Sequence, residues 1–412
     1  MYKRVSNIMY KLYCRICQSI LRVFAYLLSW RKPELLEGKN SVNKLPKLIK
    51  SKGIDNVLVI TDKGIVSIGL VDELINGLND KEVGFVIYDK TVPNPTIDNI
   101  EEALQIYKAN NCKGIIAFGG GSPMDCAKGV AARVVRPSKN VAQMKGALKV
   151  RKEIPPLFAV PTTSGTGSEA TVAAVITNSI THEKYAINDN VLIPHYAVLD
   201  PMLTVNLPPN ITSTTGIDAL THAVEAYIGR SNTKETKHLS KQAIKLIFEN
   251  LFEAYTNGSN LVARANMQKA SYYAGLAFTR AYVGYVHAVA HTLGGFYGIS
   301  HGLANAVILP HILKYYGKSV HKPLAELADL IGVCESSNTI EQKANEFIKA
   351  VKNLTKKMNI PENINGIVES DIPLMMERAF KEANPFYPVP KILSKKDLSN
   401  VYIDIQGKKQ KI

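Results

Sequence analysis

GIIAFGGGSPMDCAKG, residues Gly114 to Gly129, opens on an apolar, β-branched run, passes through three successive glycines and continues into helix-forming residues. A short apolar run ending in turn residues reads as a strand buried on both faces. Gly119, Gly120 and Gly121 permit positive φ and close approach of a ligand to the backbone. Ser122 can cap the helix that follows, and Pro123 suits a first helical position, where its missing N–H costs nothing. The unpaired N–H groups of such a helix start form a seat for a pyrophosphate. Asp125, three residues after Ser122, is expected to close a capping-box-like pair with it, a structural role first and a ligand contact second. The spacing is not the six-residue G-x-G-x-x-G pattern.

Outward from this turn the same grammar repeats. NVLVIT from Asn56, GFVIYD from Gly84 and PLFAVPTT from Pro156 are further short apolar runs, and the stretches at about Ile65 to Leu78 and Thr96 to Asn110 have helical spacing. Strands alternating with helices predict a parallel sheet covered on both faces, an α/β dinucleotide-binding domain of Rossmann-like type. A second turn after a strand, PTTSGTGSEAT from Pro161, brings Thr162, Thr163, Ser164 and Thr166, whose hydroxyls can meet a ribose, a phosphate or a carboxamide. Alone it would read as a polar loop capping a helix. Two such turns at the carboxyl ends of neighbouring parallel strands mark a ligand site.

After Pro208 the pattern changes to long helical periodicities. The expected organisation is therefore a basic N-terminal segment at 1–38, the α/β domain at 39–207 and an all-helical metal-binding domain at 208–412. In that last part Asp218 and His222 of GIDALTHAVE are four residues apart, and His287 and His291 of YVHAVAH repeat the spacing. Each pair lies on one face of its helix. His301 follows in SHG, so three of nine histidines fall within fifteen residues. Facing helices are where bundles build metal sites, and an Asp with several His suits iron(II) or zinc. His182, His195, His238, His311 and His321 read instead as satisfied core histidines.

The net charge of +15 comes from lysines spread along the 412 residues, which argues against a nucleic-acid surface. Five scattered cysteines argue against a disulfide framework and for a reducing, cytoplasmic setting. The Cys14-x-x-Cys17 pair lacks the further ligands that zinc would need. Before Glu34 there is no acidic residue, while Ile8, Leu12, Ile16, Ile20, Phe24 and Leu27 recur at helical spacing among Lys3, Arg4, Lys11, Arg15 and Arg22. This basic amphipathic helix is too short in its apolar part to span a bilayer and lacks a signal-peptide cleavage site. Two roles follow for residues 1–32: docking on the body or on another subunit, the expected one, or peripheral contact with anionic lipid.

GGGSPMD at Gly119, PTTSGTGSE at Pro161, GIDALTHAVEAY at Gly216 and HAVAHTLGGFYGISHG at His287, with TDKG at Thr61 and VPNPT at Val92, resemble the iron-containing alcohol dehydrogenase family. The resemblance runs from about Glu34 to near the end of the chain, and the segment before Glu34 departs from the family core. It implies a domain for NAD or NADP, a helical domain with one divalent metal, iron(II) ahead of zinc, and a likeness to homo-oligomers acting on a small alcohol or aldehyde. It implies Asp218, His222, His287 and His301 as metal ligands and His291 as the residue beside the nicotinamide. On the cofactor side it adds Asn94 and Lys184 to Gly120, Gly121, Ser122, Asp125 and the hydroxyls of the second turn. Asp62, at the end of the first strand of the dinucleotide domain, would accept hydrogen bonds from the adenosine ribose and repel a 2′-phosphate, which selects NAD; a plain helix cap is the other reading of the same residue. The alternatives within the fold are a polyol dehydrogenase of glycerol type or a dehydroquinate-synthase-like lyase, against both of which the H-x3-H-x9-H spacing speaks. Outside enzymes, the alternative is a metal-binding protein tethered to membrane.

Overall fold

A computed structural model of the chain describes residues 2–180 and 183–407. These form two compact units: Ser29–Pro208 with Asn257–Gly275, and Met1–Leu28 with Pro209–Thr256 and Leu276–Ile412. The first helix, α1 (Tyr2–Leu27), thus belongs with the helical unit rather than standing apart. His182 lies outside the described residues.

The first unit carries strands β1 (Glu34–Glu37), β2 (Asn56–Ile60), β3 (Gly84–Tyr88), β4 (Gly114–Gly119), β5 (Gly146–Ala147), β6 (Leu157–Pro161), β7 (Ala173–Thr177), β8 (Lys184–Asn188) and β9 (Tyr196–Leu199). Six of them make one parallel sheet in the order β1-β9-β6-β4-β2-β3; β5, β8 and β7 make a smaller one. Its helices are α2 (Leu45–Ser51), α3 (Lys63–Ser67), α4 (Asp72–Asp80), α5 (Ile97–Ala109) and α6 (Gly121–Val135). Strand β4 shows why both faces must be covered. Its Ile115 and Ala117 pack with Leu104 of α5 and Val130 of α6, while Ile116 and Phe118 pack with Ile49 of α2 and Leu74 of α4. The single helix expected from Ile65 to Leu78 is two, because Gly69 at φ 68 turns the chain between α3 and α4. Thr96 caps α5 in a reciprocal box with Asn99.

The second unit holds α1, α7 (Pro209–Ile228), α8 (Lys234–Thr256), the end of α9 (Leu261–Ala281), α10 (Tyr285–Tyr297), α11 (His301–Tyr316), α12 (His321–Leu330), α13 (Ile340–Lys357), α14 (Ile372–Ala383) and α15 (Lys395–Ile405). From Gly216 to Ile228 every residue of α7 is buried, so this helix is the unit's axis. α1 is tied to the 387–390 segment by polar contacts: Arg15 donates to the carbonyls of Val389 and Pro390 at 2.7 and 2.9 Å, and Gln18 to that of Tyr387 at 2.8 Å. All five cysteines are free thiols. Among the described residues no helix is long and apolar enough to cross a membrane.

The first part of α9 belongs to the sheet unit because two glycines meet there. A Cβ on Gly167, which has φ +60, would lie 2.7 Å from the Cα of Gly275. Gly167 N–H donates to Ser271 Oγ at 3.2 Å, and Gln268 donates to the Asp200 carbonyl at 3.0 Å. On the other side of the same loop Lys128 of α6 is fully buried, with Nζ donating to Ser168 Oγ, Thr171 Oγ1 and the carbonyls of Thr171 and Ala173 at 2.9–3.0 Å. Burial pushes Lys128 down to about 8 and the nearby Glu169 carboxyl up to about 7. Glu169 is therefore favoured in its neutral form by folding. The stability this contributes is complete below the carboxyl's ordinary value of 4.5 and is lost as pH rises through about 7. Glu169→Gln is expected to flatten the decline in urea stability between pH 5 and pH 8 by about 3 kcal/mol relative to the natural protein. Parallel declines in the two proteins would remove Glu169 from this account.

Candidate functional site

On the sheet unit, the two Gly-rich turns come together. Gly119 has φ +147, and a Cβ there would meet Pro123 Cγ at 2.7 Å and Ile65 Cδ1 at 3.0 Å. Thr162 N–H donates to the Gly119 carbonyl at 3.1 Å. Gly120 faces Thr163 and Gly121 faces Thr166, whose Cγ2 lies 3.0 Å from where a Cβ would stand. Asn94 N–H donates to Ser122 Oγ at 3.2 Å, and Lys184 Nζ donates to Asn94 Oδ1 at 2.7 Å, so three residues far apart in sequence form one polar group. Ser164 is buried, while Thr163 and Thr166 are partly exposed.

Two expectations for this region are corrected. The N-cap of α6 is Gly120, not Ser122, and no side chain caps it, because the turn at Gly119 starts the helix two residues early. The capping box of Ser122 with Asp125 therefore does not form. Asp125 instead accepts from Ser168 Oγ at 3.2 Å, and burial pushes its carboxyl up to about 6. Asp62 caps α3: its Oδ1 accepts from Ile65 N–H at 3.0 Å.

On the helical unit, α7 carries Asp218 and His222, α10 carries His287 and His291, and His301 is the first residue of α11. Gly302 explains the approach of α11 to α7, since a Cβ there would lie 2.4 Å from the Thr214 carbonyl oxygen. One ligand atom each from Asp218, His222, His287 and His301 gathers within 4.8 Å. Asp218 Oδ1 is 3.6 Å from His301 Nε2 and 4.0 Å from His287 Nε2. His222 is stacked between Phe278 and His287, with ring centroids at 4.1 and 4.5 Å. His291 stacks on His301 at 5.2 Å and is the histidine left outside the cluster. Asp218, His222 and His287 are buried; His301 and His291 are partly exposed and give the cluster its open side.

Three neighbours were not singled out as functional in the sequence. Glu225, buried on α7, accepts from Gly284 and Val286 N–H at 2.8 and 2.9 Å and lies 2.6 Å from His287 Nδ1. Its spacing made it legible, because it stands one turn beyond His222 in THAVE. Burial pushes its carboxyl up to about 8 against those three hydrogen bonds, and holds His287 well below its ordinary value, in the neutral form that ligates metals. Asn305, four residues after His301, points Nδ2 at Asp218 Oδ1 (2.6 Å), His301 Nε2 (3.1 Å) and His287 Nε2 (3.4 Å). Glu382 of α14 lies 2.7 Å from His291 Nδ1 and accepts from Tyr387 Oη at 2.9 Å, and no local spacing in the sequence could have found it. Of the histidines read as core residues, His195 is satisfied by the Leu157 N–H and Glu153 but is not fully buried, and His238 is exposed beside Gln242. His195 is thus held by partners on distant segments, and His238 by one a turn along its own helix.

One carboxylate oxygen and three imidazoles, gathered in a largely buried pocket with one open side, fit a divalent ion of iron or zinc type. Residues 33–201 match the model described as iron-containing alcohol dehydrogenase, and residues 212–405 match the C-terminal model of the Fe-containing alcohol dehydrogenase family. The chain belongs to the iron-containing alcohol dehydrogenase family. It is 38% identical over 353 residues to 1,3-propanediol dehydrogenase of Klebsiella pneumoniae, covering 85% of this chain and 91% of that protein. Alcohol dehydrogenase 4 of Schizosaccharomyces pombe is 38% identical, with 86% and 84% covered. The solved alcohol dehydrogenase from Oenococcus oeni superposes with a TM-score of 0.88 at 35% identity, covering 92% of this chain and 99% of that one. This iron-type dehydrogenase is a metal-dependent, NAD-linked oxidoreductase acting on small alcohols or aldehydes.

For the dehydrogenase, His287→Ala or His301→Ala is expected to abolish bound metal and activity together, whereas His291→Ala lowers turnover and keeps the metal. Glu225→Ala leaves the ligand set intact but frees His287 to rotate, and should weaken metal affinity by roughly 10–100-fold. Chelator competition followed by elemental analysis reads all four variants; unchanged affinity in Glu225→Ala would show that His287 needs no such anchor.

Proposed function

We propose that this chain interconverts a short diol and its hydroxyaldehyde, with iron(II) on Asp218, His222, His287 and His301 and NAD on the paired turns of the sheet unit. The observation that carries the reading is the four-residue cluster, three of its members buried, with its ligand atoms inside 4.8 Å. The diol, the polyol side of the alternatives open from sequence, is favoured by the 38% identity to a 1,3-propanediol dehydrogenase. The five free cysteines favour a reducing, cytoplasmic setting.

When bound, the metal would supply Lewis acidity toward the substrate oxygen and NAD the hydride exchange. The chain's own groups do the rest. Glu225 fixes the tautomer of His287 so that Nε2 is left for the metal. Asn305 donates to Asp218 Oδ1 and holds the carboxylate against rotation. Glu382 holds His291 by Nδ1, which leaves Nε2 as the atom that exchanges the proton of the substrate hydroxyl. Gly120, Gly121 and the N–H groups opening α6 would receive the pyrophosphate; Asn94, Ser122 and Lys184 would contact it from one side, and Thr162, Thr163, Ser164 and Thr166 from the other. Asp125, tied to Ser168, supports the turn from behind. With Oδ1 of Asp62 engaged by its helix, Oδ2 would meet the adenosine ribose.

Aldehyde reduction with NADH over propanal, 3-hydroxypropanal and lactaldehyde tests the substrate: a hydroxyaldehyde should exceed propanal in kcat/KM by about tenfold, the net worth of one hydrogen bond. Equal values would return the reading to plain alcohols. Asp62→Gly should weaken NADH and improve NADPH, each by on the order of 1–3 kcal/mol, a shift in preference of at least about tenfold. A natural protein that prefers NADPH, or a variant with unchanged preference, takes Asp62 out of the cofactor site.

A further inference from the structure

α1 presents two different faces. Cys14, Gln18 and Ala25 are buried, Gln18 donates to the Tyr387 carbonyl, and Tyr10 stacks on Phe380 at 5.6 Å. At 100° per residue the side of the helix turned away from them carries Ile8, Leu12, Ile16, Ile20 and Val23. These are large apolar side chains that stay exposed, Ile16 at 51% and Ile20 at 63%. An ordinary surface helix turns its polar face outward. Here the outward face is apolar over some four turns, which is more contiguous exposed apolar surface than a protein usually leaves uncovered.

The charges beside this face say what fits it. Lys11 and Arg22 are exposed along its flank, Lys3 and Arg4 precede them in the sequence, and no carboxylate occurs before Glu34. A second α1 laid on this face would bring two sets of cations together with no carboxylate from either helix to neutralise them. An anionic lipid surface accepts both features: acyl chains take the apolar side chains and headgroups take the cations. The hydrogen bonds of Arg15 and Gln18 to the 387–390 segment hold the helix along the body, so it would lie in the plane of the interface and not across it.

We infer that the outer face of α1 is a docking surface for an anionic bilayer, carrying the enzyme as a peripheral membrane protein. The test uses the full-length protein, sedimented with vesicles of equimolar phosphatidylcholine and phosphatidylglycerol and with vesicles of phosphatidylcholine alone, together with light scattering for oligomer size. Binding to the anionic vesicles should exceed binding to the neutral ones by roughly tenfold or more, because each cation near the surface adds to the attraction. Ile16→Asp with Ile20→Asp should abolish sedimentation while NADH-linked aldehyde reduction and oligomer size stay as they were. Lys11→Glu with Arg22→Glu should remove the preference for anionic lipid. Failure of the natural protein to sediment, or sedimentation that survives the paired aspartates, overturns the inference. So does a drop in oligomer size in the paired aspartate variant, which would make a second copy of the chain the occupant.

Discussion

The carboxylate of Glu225 is the contact on which the metal centre depends. It is buried on the axial helix α7, beside the two ligands that this helix supplies; it accepts from the N–H groups of Gly284 and Val286 at the start of α10 and lies 2.6 Å from His287 Nδ1. Its oxygens give partners to N–H groups at the helix start that would otherwise lack them. The same group therefore sets where α10 begins and how its first ligand is turned. Gly284 makes this possible: a Cβ there would lie 2.6 Å from Glu225 Oε1. Remove the carboxylate and the ends of α7 and α10 lose their common partner, and with it the register between Asp218 and His287.

Lys128 has the corresponding place in the sheet unit. Its ammonium is wholly enclosed, which is tolerated because four oxygens from the 168–173 stretch accept from it. It ties α6, the helix behind the first Gly-rich turn, to the loop that forms the second. Gly167 and Gly275 close the other side of that loop against α9. The two turns are held together by buried polar ties and close backbone approach, so their hydroxyls and N–H groups keep a common geometry before any ligand arrives.

α1 joins the helical unit by polar contacts of Arg15 and Gln18 to backbone carbonyls rather than by its apolar face. An amphipathic helix normally docks by the side richest in apolar residues. The inversion is what makes its outer face informative, since the side chains that would ordinarily drive docking remain exposed.

From the sequence alone the parallel sheet, the two Gly-rich turns that follow its strands and the i,i+4 pairs of Asp and His side chains were readable, because period and spacing act locally: strands and helices announce their faces within a few residues. The tertiary structure decided which of five close candidates gather in one cluster, since Asp218, His222, His287 and His301 meet only when α7, α10 and α11 pack. It also decided that Gly120 and not Ser122 starts α6, that Glu382 reaches His291 across 91 residues, and that Asn94, Ser122 and Lys184 touch. Contacts between distant segments depend on how helices and loops pack in three dimensions, and no local period in a single sequence records that packing.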